Sequence, residues 1–205
     1  MTEEKLLKLE QSIENLKSKK SKIYLLVQDT KGNAKASIAY IYRLGLALQK
    51  NGFNPIMLHE KPEYTGVSGW LTDDVSSLPH QSIEGQQLQI APEDFIVLPE
   101  LYGFVMSQIA KLPCGKIVLC QAYDHMLETL QPGETWSQFG FIKCITTSEI
   151  QKEFIENVFR GISYEILKPY ISDVFEKQSL DDLKALKFDI KDPKIKTSIV
   201  EGDEN

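Results

Sequence analysis

The sequence predicts a three-layer α/β domain on a mostly parallel sheet, and three observations carry that expectation. Two short apolar runs, Lys22 to Val27 and Asn54 to His59, flank an amphipathic stretch from about Ala36 to Asn51, which is the order strand, helix, strand. A third run, FIVLPE from Phe95 to Glu100, stands inside a longer alternation of strand and helix signals that continues to Leu167. Parallel strands joined through helices sit in a sheet covered on both faces, and such strands read as continuous apolar runs.

Each element has its own warrant. Residues Thr2 to Lys20 read as a helix, with Thr2 as its N-cap, Glu3 and Glu4 in the first turn and lysines gathering toward its end, as the helix dipole favours. Leu6, Leu9, Ile13 and Leu16 line one stripe, which calls for a cover from its own domain or from a partner helix; two heptads fall short of a coiled coil. After the strand Lys22 to Val27, the loop Gln28 to Ala36 carries Gly32 and Asn33 into the next helix. That helix turns Ile38, Ile41, Leu44, Gly45 and Leu48 to one face, and Gly52 ends it in the left-handed conformation common past a helix C-terminus. Between Glu60 and Glu93 the chain is rich in Gly, Pro, Ser and acidic residues; loops are expected, anchored by Trp70 and Leu71, with a short strand around Gln87 to Ile90.

From there the alternation resumes. A strand at Phe95 to Leu98, a helix from about Gly103 to Lys111, and strands at Lys116 to Gln121 and Phe141 to Thr146 follow. Thr147 or Ser148 caps a helix whose Ile150, Phe154, Ile155, Val158 and Phe159 form an apolar face, and Ser163 to Leu167 closes a series of five to seven strands. Past Glu176, charged residues dominate. Leu186, Phe188 and Ile190 alternate with charges, as do Ile195, Thr197 and Ile199 around the turn Asp192-Pro193-Lys194, so residues 176–205 read as a charged arm or hairpin able to offer its edge to another chain.

Composition narrows the function. The 205 residues, 42% hydrophobic and 25% charged, suit one soluble core, and the net charge of −6 argues against a surface built to neutralise nucleic-acid phosphates. The pI near 5.2 agrees. Cys114, Cys120 and Cys144 lack metal-ligand spacing and read as small core thiols. No apolar run approaches the roughly 18 residues that span a bilayer. A cytoplasmic protein, or one inside a particle assembled in the cytoplasm, is expected, with no metal.

In open α/β sheets ligands collect beyond the carboxyl ends of the strands. That edge gathers five segments: Gln28 to Lys35, His59 with Glu60, Pro99 with Glu100, Gln121 to His125, and Thr146 to Glu149. The first lacks G-x-G-x-x-G and is no phosphate-binding fingerprint. Glu100 is placed either to bond a ligand hydroxyl or to hold a neighbouring loop through its backbone N–H groups, the second reading being the stronger.

From Lys22 to about Phe175 this series, with its Gly-containing loop after the first strand and its Pro-Glu pair, resembles the N-terminal, acceptor-side, Rossmann-like domain of retaining, GT4-like glycosyltransferases of GT-B architecture. The resemblance implies that Gly32 and Asn33 lie beside the acceptor and face the sugar donor. It also implies that Glu100 holds the place of a family Pro-Glu pair, and that Gln121, Tyr123 and His125 follow the strand after which the family places a cleft histidine. Ser148 completes the candidate crevice. His125 comes four residues past the strand end, a departure from the family pattern.

The organisation expected is therefore an N-terminal amphipathic helix over residues 1–20, a Rossmann-like domain over 21–175 and an arm over 176–205. Thirty residues after Phe175 are too few for a donor-binding domain, which would supply the groups that stabilise the leaving diphosphate. Two functions follow. One is a glycosyltransferase-like domain that binds carbohydrate, or transfers sugar only when a partner supplies the donor half and its nucleotide sugar. The other is a non-catalytic interaction protein that reuses the fold in a larger assembly, docking through the terminal helix and arm. A flavodoxin-like or receiver-like domain fits the element order, but Thr30 and Asp29 are its only matches in the first loop.

Overall fold

A computed structural model describes residues 21–85 and 88–168, with Tyr123, Asp124 and Leu127 described by backbone alone; the expected N-terminal helix and C-terminal arm lie outside the described residues. The elements run β1 (Lys22–Leu26), α1 (Ala36–Lys50), β2 (Asn54–His59), β3 (His80–Ser82), β4 (Phe95–Pro99), α2 (Gly103–Ile109), β5 (Gly115–Cys120), α3 (Tyr123–Thr129), β6 (Lys143–Thr146), α4 (Glu149–Val158) and β7 (Ser163–Ile166). All seven strands are parallel, in the order β3-β2-β1-β4-β5-β6-β7. This is a Rossmann-like three-layer α/β fold, as the apolar runs predict.

Alternation along the strands builds two cores. Ile23, Leu25, Met57, Val97, Leu119 and Ile145 point to one face, where Ile38, Ile41, Tyr42 and Leu48 of α1 meet them. Tyr24, Leu26, Leu58, Leu98, Val118 and Cys144 point to the other, covered by Met106 of α2, Met126 of α3, Ile155 of α4, and Trp136 from a short 3-10 turn. The helix α1 approaches the sheet closely at Gly45, where an added Cβ would stand 3.0 Å from the Met57 sulfur. Tyr40 reaches across from α1 to donate to the Leu167 carbonyl at 2.8 Å, tying the first helix to the end of the last strand. Gly52 takes φ 82 after α1, the stop that the sequence indicates. All three cysteines are buried and unbridged.

Three expectations need correction. The third strand is His80–Ser82, and Leu88 to Ile90 form no strand, because the pairing partner of β2 at this edge is a short polar segment rather than an apolar run. Leu88 and Ile90 instead pack on the α2 to α4 face, where the chain crosses between layers. His125, expected in the segment Gln121 to His125 that follows a strand end, lies on a helix, α3, where the sequence predicts no element. In α4 only Ile155 and Phe159 are buried, whereas Ile150, Phe154 and Val158 are 78%, 41% and 46% exposed. Those five apolar positions cover an arc wider than the strip the sheet can contact.

The chain winds outward from β1 through β2 to β3, then restarts at β4 on the other side of β1. The loops after β1 and β4 therefore diverge at the carboxyl edge and leave a crevice there, the usual place for a ligand in open α/β sheets.

Candidate functional site

On the β1 side of the crevice the first loop is a tight turn: Asn33 N donates to the Thr30 carbonyl at 3.0 Å, with Lys31 at φ 51 and Gly32 at φ 81. Two successive left-handed residues favour glycine at one of them, and Gly32 supplies it. Asp29 fixes the turn by accepting from Lys31 N at 2.9 Å, and from Thr65 N at 3.2 Å it holds the connection between β2 and β3. Past the turn, α1 starts at Lys35 with no side-chain cap and no acidic residue in its first turn. Its positive dipole end thus faces the crevice without a carboxylate to neutralise it.

The β4 side is organised by Glu100, which is only 2% exposed. Its carboxylate accepts from Gln121 N at 3.1 Å and Ala122 N at 2.9 Å, and its carbonyl accepts from Thr129 Oγ1 at 2.9 Å. The side chain therefore clamps the turn between β5 and α3. Burial pushes its pKa up, opposed by the N–H groups of Gln121, Glu100 itself and Ala122, and by His125. Gly103 opens α2 so close to α3 that a Cβ would lie 2.5 Å from the Thr129 carbonyl oxygen.

The same turn is gripped from β6. Gln151 donates from Nε2 to the Gln121 carbonyl at 2.8 Å while its Oε1 accepts from Thr147 N at 3.0 Å, and Ser148 Oγ caps α4 by accepting from Gln151 N at 3.3 Å. Glu100, Gln121, Gln151 and Ser148 thus join the loops after β4, β5 and β6 into one network. His125 sits beside it, its side chain half exposed, with Nδ1 3.7 Å from a Glu128 carboxylate oxygen one turn on. Tyr123 is the first residue of α3. Gly32 and Asn33 stand on the opposite side of the switch point, at the end of β1.

A second cluster was not legible beforehand. His59, at the end of β2 and 3% exposed, places Nε2 2.8 Å from Nδ1 of His80 on β3. The Tyr64 ring lies flat on His59, 3.6 Å between ring centres and 4° from parallel. Burial and then the neighbouring His80 lower the His59 pKa to about 4, with Asp29 opposing, and burial also lowers that of His80. Burial, then Tyr64 and Asp29, raise Tyr42 to about 12. The only sequence signal was His59 at a strand end; His80 belongs to no motif and Tyr64 to no periodic element.

Among the described residues no group of three or more His, Cys, Asp or Glu could hold a metal ion, and no helix is long and apolar enough to cross a membrane. No family model, curated protein or solved structure matches this chain. Function therefore has to be argued from the site itself.

Proposed function

We propose that this chain is the acceptor-side half of a glycosyltransferase-like pair, binding carbohydrate at the strand-end crevice and dependent on a partner's donor half, with its nucleotide sugar, for transfer. The observation that carries the reading is the sheet order, which sets the loop with Gly32 and Asn33 and the loop clamped by Glu100 on either side of one switch point. Around it stand groups suited to hydroxyl-rich ligands: the Asn33 amide, Lys31 and Lys35, and the Gln121 turn. The uncapped start of α1 would favour an anionic group approaching from the donor side. Glu100, with both oxygens engaged by backbone N–H groups, acts here as the holder of the turn, and sugar contact falls to the residues it positions.

The test is calorimetric titration of the chain with acceptor oligosaccharides and with UDP-, GDP- and ADP-sugars, each repeated on Asn33→Ala. Saturable oligosaccharide binding weakened by the substitution supports the reading. Binding of nucleotide sugars alone would assign this domain the donor role instead, and silence across both panels would remove the carbohydrate function.

The second reading, a non-catalytic assembly module, is favoured by Ile150 and Val158, which α4 exposes at 78% and 46%. Removing residues 1–20 and 176–205 together with the changes Ile150→Lys and Val158→Lys would then abolish assembly while residues 21–168 keep their fold. Persistence of assembly in the shortened, substituted chain would end that reading.

A further inference from the structure

Two of the chain's three histidines, His59 and His80, are joined to each other and lie under a tyrosine. Their ring centres are 5.1 Å apart at 8°, with the facing nitrogens 2.8 Å apart, so the imidazoles lie edge to edge in nearly one plane. Tyr64 lies parallel to both, 3.6 Å from the His59 centre and 5.3 Å from that of His80. Tyr64 belongs to the connection between β2 and β3, which contains no helix or strand and which Asp29, Arg43 and Gln49 hold at Thr65, Asp73 and Ser77. Val67 and Leu71 of the same connection are buried against the α1 face of the sheet. The paired rings are thus the floor on which the first part of this connection rests.

The bond between the rings needs one N–H and one lone pair. In the neutral pair either ring can donate, and one added proton leaves the bond intact. A second proton sets N–H against N–H at 2.8 Å and two like charges side by side, with His59 almost without access to water. The other nitrogen of His59, Nδ1, is buried with no hydrogen-bond partner among the described residues, so a charge on this ring gains nothing there. The groups that face the pair are Asp29 from the loop after β1, Tyr42 from α1, at 6.0 Å between ring centres from His80, and Tyr64 above. Asp29 alone among them favours the protonated ring, against burial and the neighbouring imidazole, and its Oδ1 already accepts from Lys31 N and Thr65 N.

We propose that the His59–His80 pair is an acid-sensitive latch, which holds the β2–β3 connection on the sheet at neutral pH and releases it locally on acidification. The connection borders the crevice through Thr65 and the Asp29 turn, so release would also loosen the loop that carries Gly32 and Asn33. This device stands whether or not the crevice binds sugar. The direction in which burial moves both imidazoles agrees with a latch that stays shut down to mildly acidic pH.

The chain's two tryptophans make the test direct, because Trp70 lies in the connection and Trp136 is fully buried on the opposite face. Full-length protein carrying 5-fluorotryptophan gives two fluorine NMR signals, assigned with Trp70→Phe and followed from pH 7 to pH 4. The latch predicts that the Trp70 signal shifts or broadens below about pH 5 while the Trp136 signal holds. His59→Phe, which keeps a flat ring beneath Tyr64 but cannot titrate, should flatten the Trp70 response. His80→Asn should flatten it too, because an amide oxygen can still accept from protonated His59. A Trp70 signal that stays constant throughout, that moves only together with Trp136, or that responds equally in either variant overturns the proposal.

Discussion

Replacing Glu100 with alanine probes how far the crevice depends on one side chain. The substitution removes the acceptor of two backbone N–H groups, Gln121 N and Ala122 N, held at 3.1 Å and 2.9 Å. Hydrogen bonds to a charged group contribute about 1.5–3 kcal/mol each, so the gross loss is about 3–6 kcal/mol. Two effects offset part of it. The carboxylate is nearly inaccessible and burial is the leading influence on its raised pKa, so its removal relieves a desolvation cost, and water entering the vacated space can satisfy one of the N–H groups. A net destabilisation of about 2–3 kcal/mol is expected, measured by urea unfolding at pH 7 with an unchanged slope. Glu100→Gln keeps one oxygen acceptor but turns an NH2 toward the second N–H, so it should lose at least half as much. A midpoint indistinguishable from wild type in both variants would show that the turn between β5 and α3 holds itself, and the clamp would have to be abandoned.

Further outcomes can be checked on the same preparations. Because its folded pKa is raised, Glu100 contributes stability at low pH that fades as pH rises through that value; Glu100→Ala should lack this slope in unfolding curves taken from the ordinary carboxylate range up to neutral pH. His59 has the opposite sign: with its pKa lowered from 6.5 to about 4, the native state loses stability as pH falls through that window. A shift of that size corresponds to roughly 3 kcal/mol, and His59→Phe should remove it from the pH dependence of the unfolding midpoint. Gly103→Ala drives a Cβ to 2.5 Å from a backbone oxygen and should cost about 1–3 kcal/mol by thermal unfolding, whereas Gly66→Ala, with open space at the Cβ, should be far milder. Ser148→Ala removes the cap of α4 and should cost about 1 kcal/mol in the same assay.

Most strands that read correctly from sequence are buried on both faces, because an unbroken apolar run such as Tyr24 to Leu26 or Ile117 to Cys120 has few other uses in a chain this size; β7, an edge strand of intermediate burial, was legible as the close of the alternating series. β3 was misplaced since His80-Gln81-Ser82 pairs only with β2, at an edge, and edge pairing needs backbone groups more than apolar side chains. The helix α3 has seven residues and too little periodicity to announce itself; Met126 packs it to the core and the Glu100 clamp sets where it begins. In α4 the apolar positions were visible, but which of them face the sheet is fixed by how the Ser148 cap and Gln151 set the helix against β6. The crevice was legible as a place, since parallel strands put loops at one edge. The His59–His80 pair was not, because it arises from the register that sets Met57 opposite His80 across two strands separated by an irregular connection.

The central claim is that carbohydrate binds between the loops after β1 and β4. The direct measurement is an amide NMR titration of the full chain with acceptor oligosaccharides. Progressive shifts concentrated at Gly32, Asn33 and the Gln121 turn, and reduced in Asn33→Ala, are the predicted result. Saturable shifts confined to α4, or none anywhere at millimolar sugar, would contradict it.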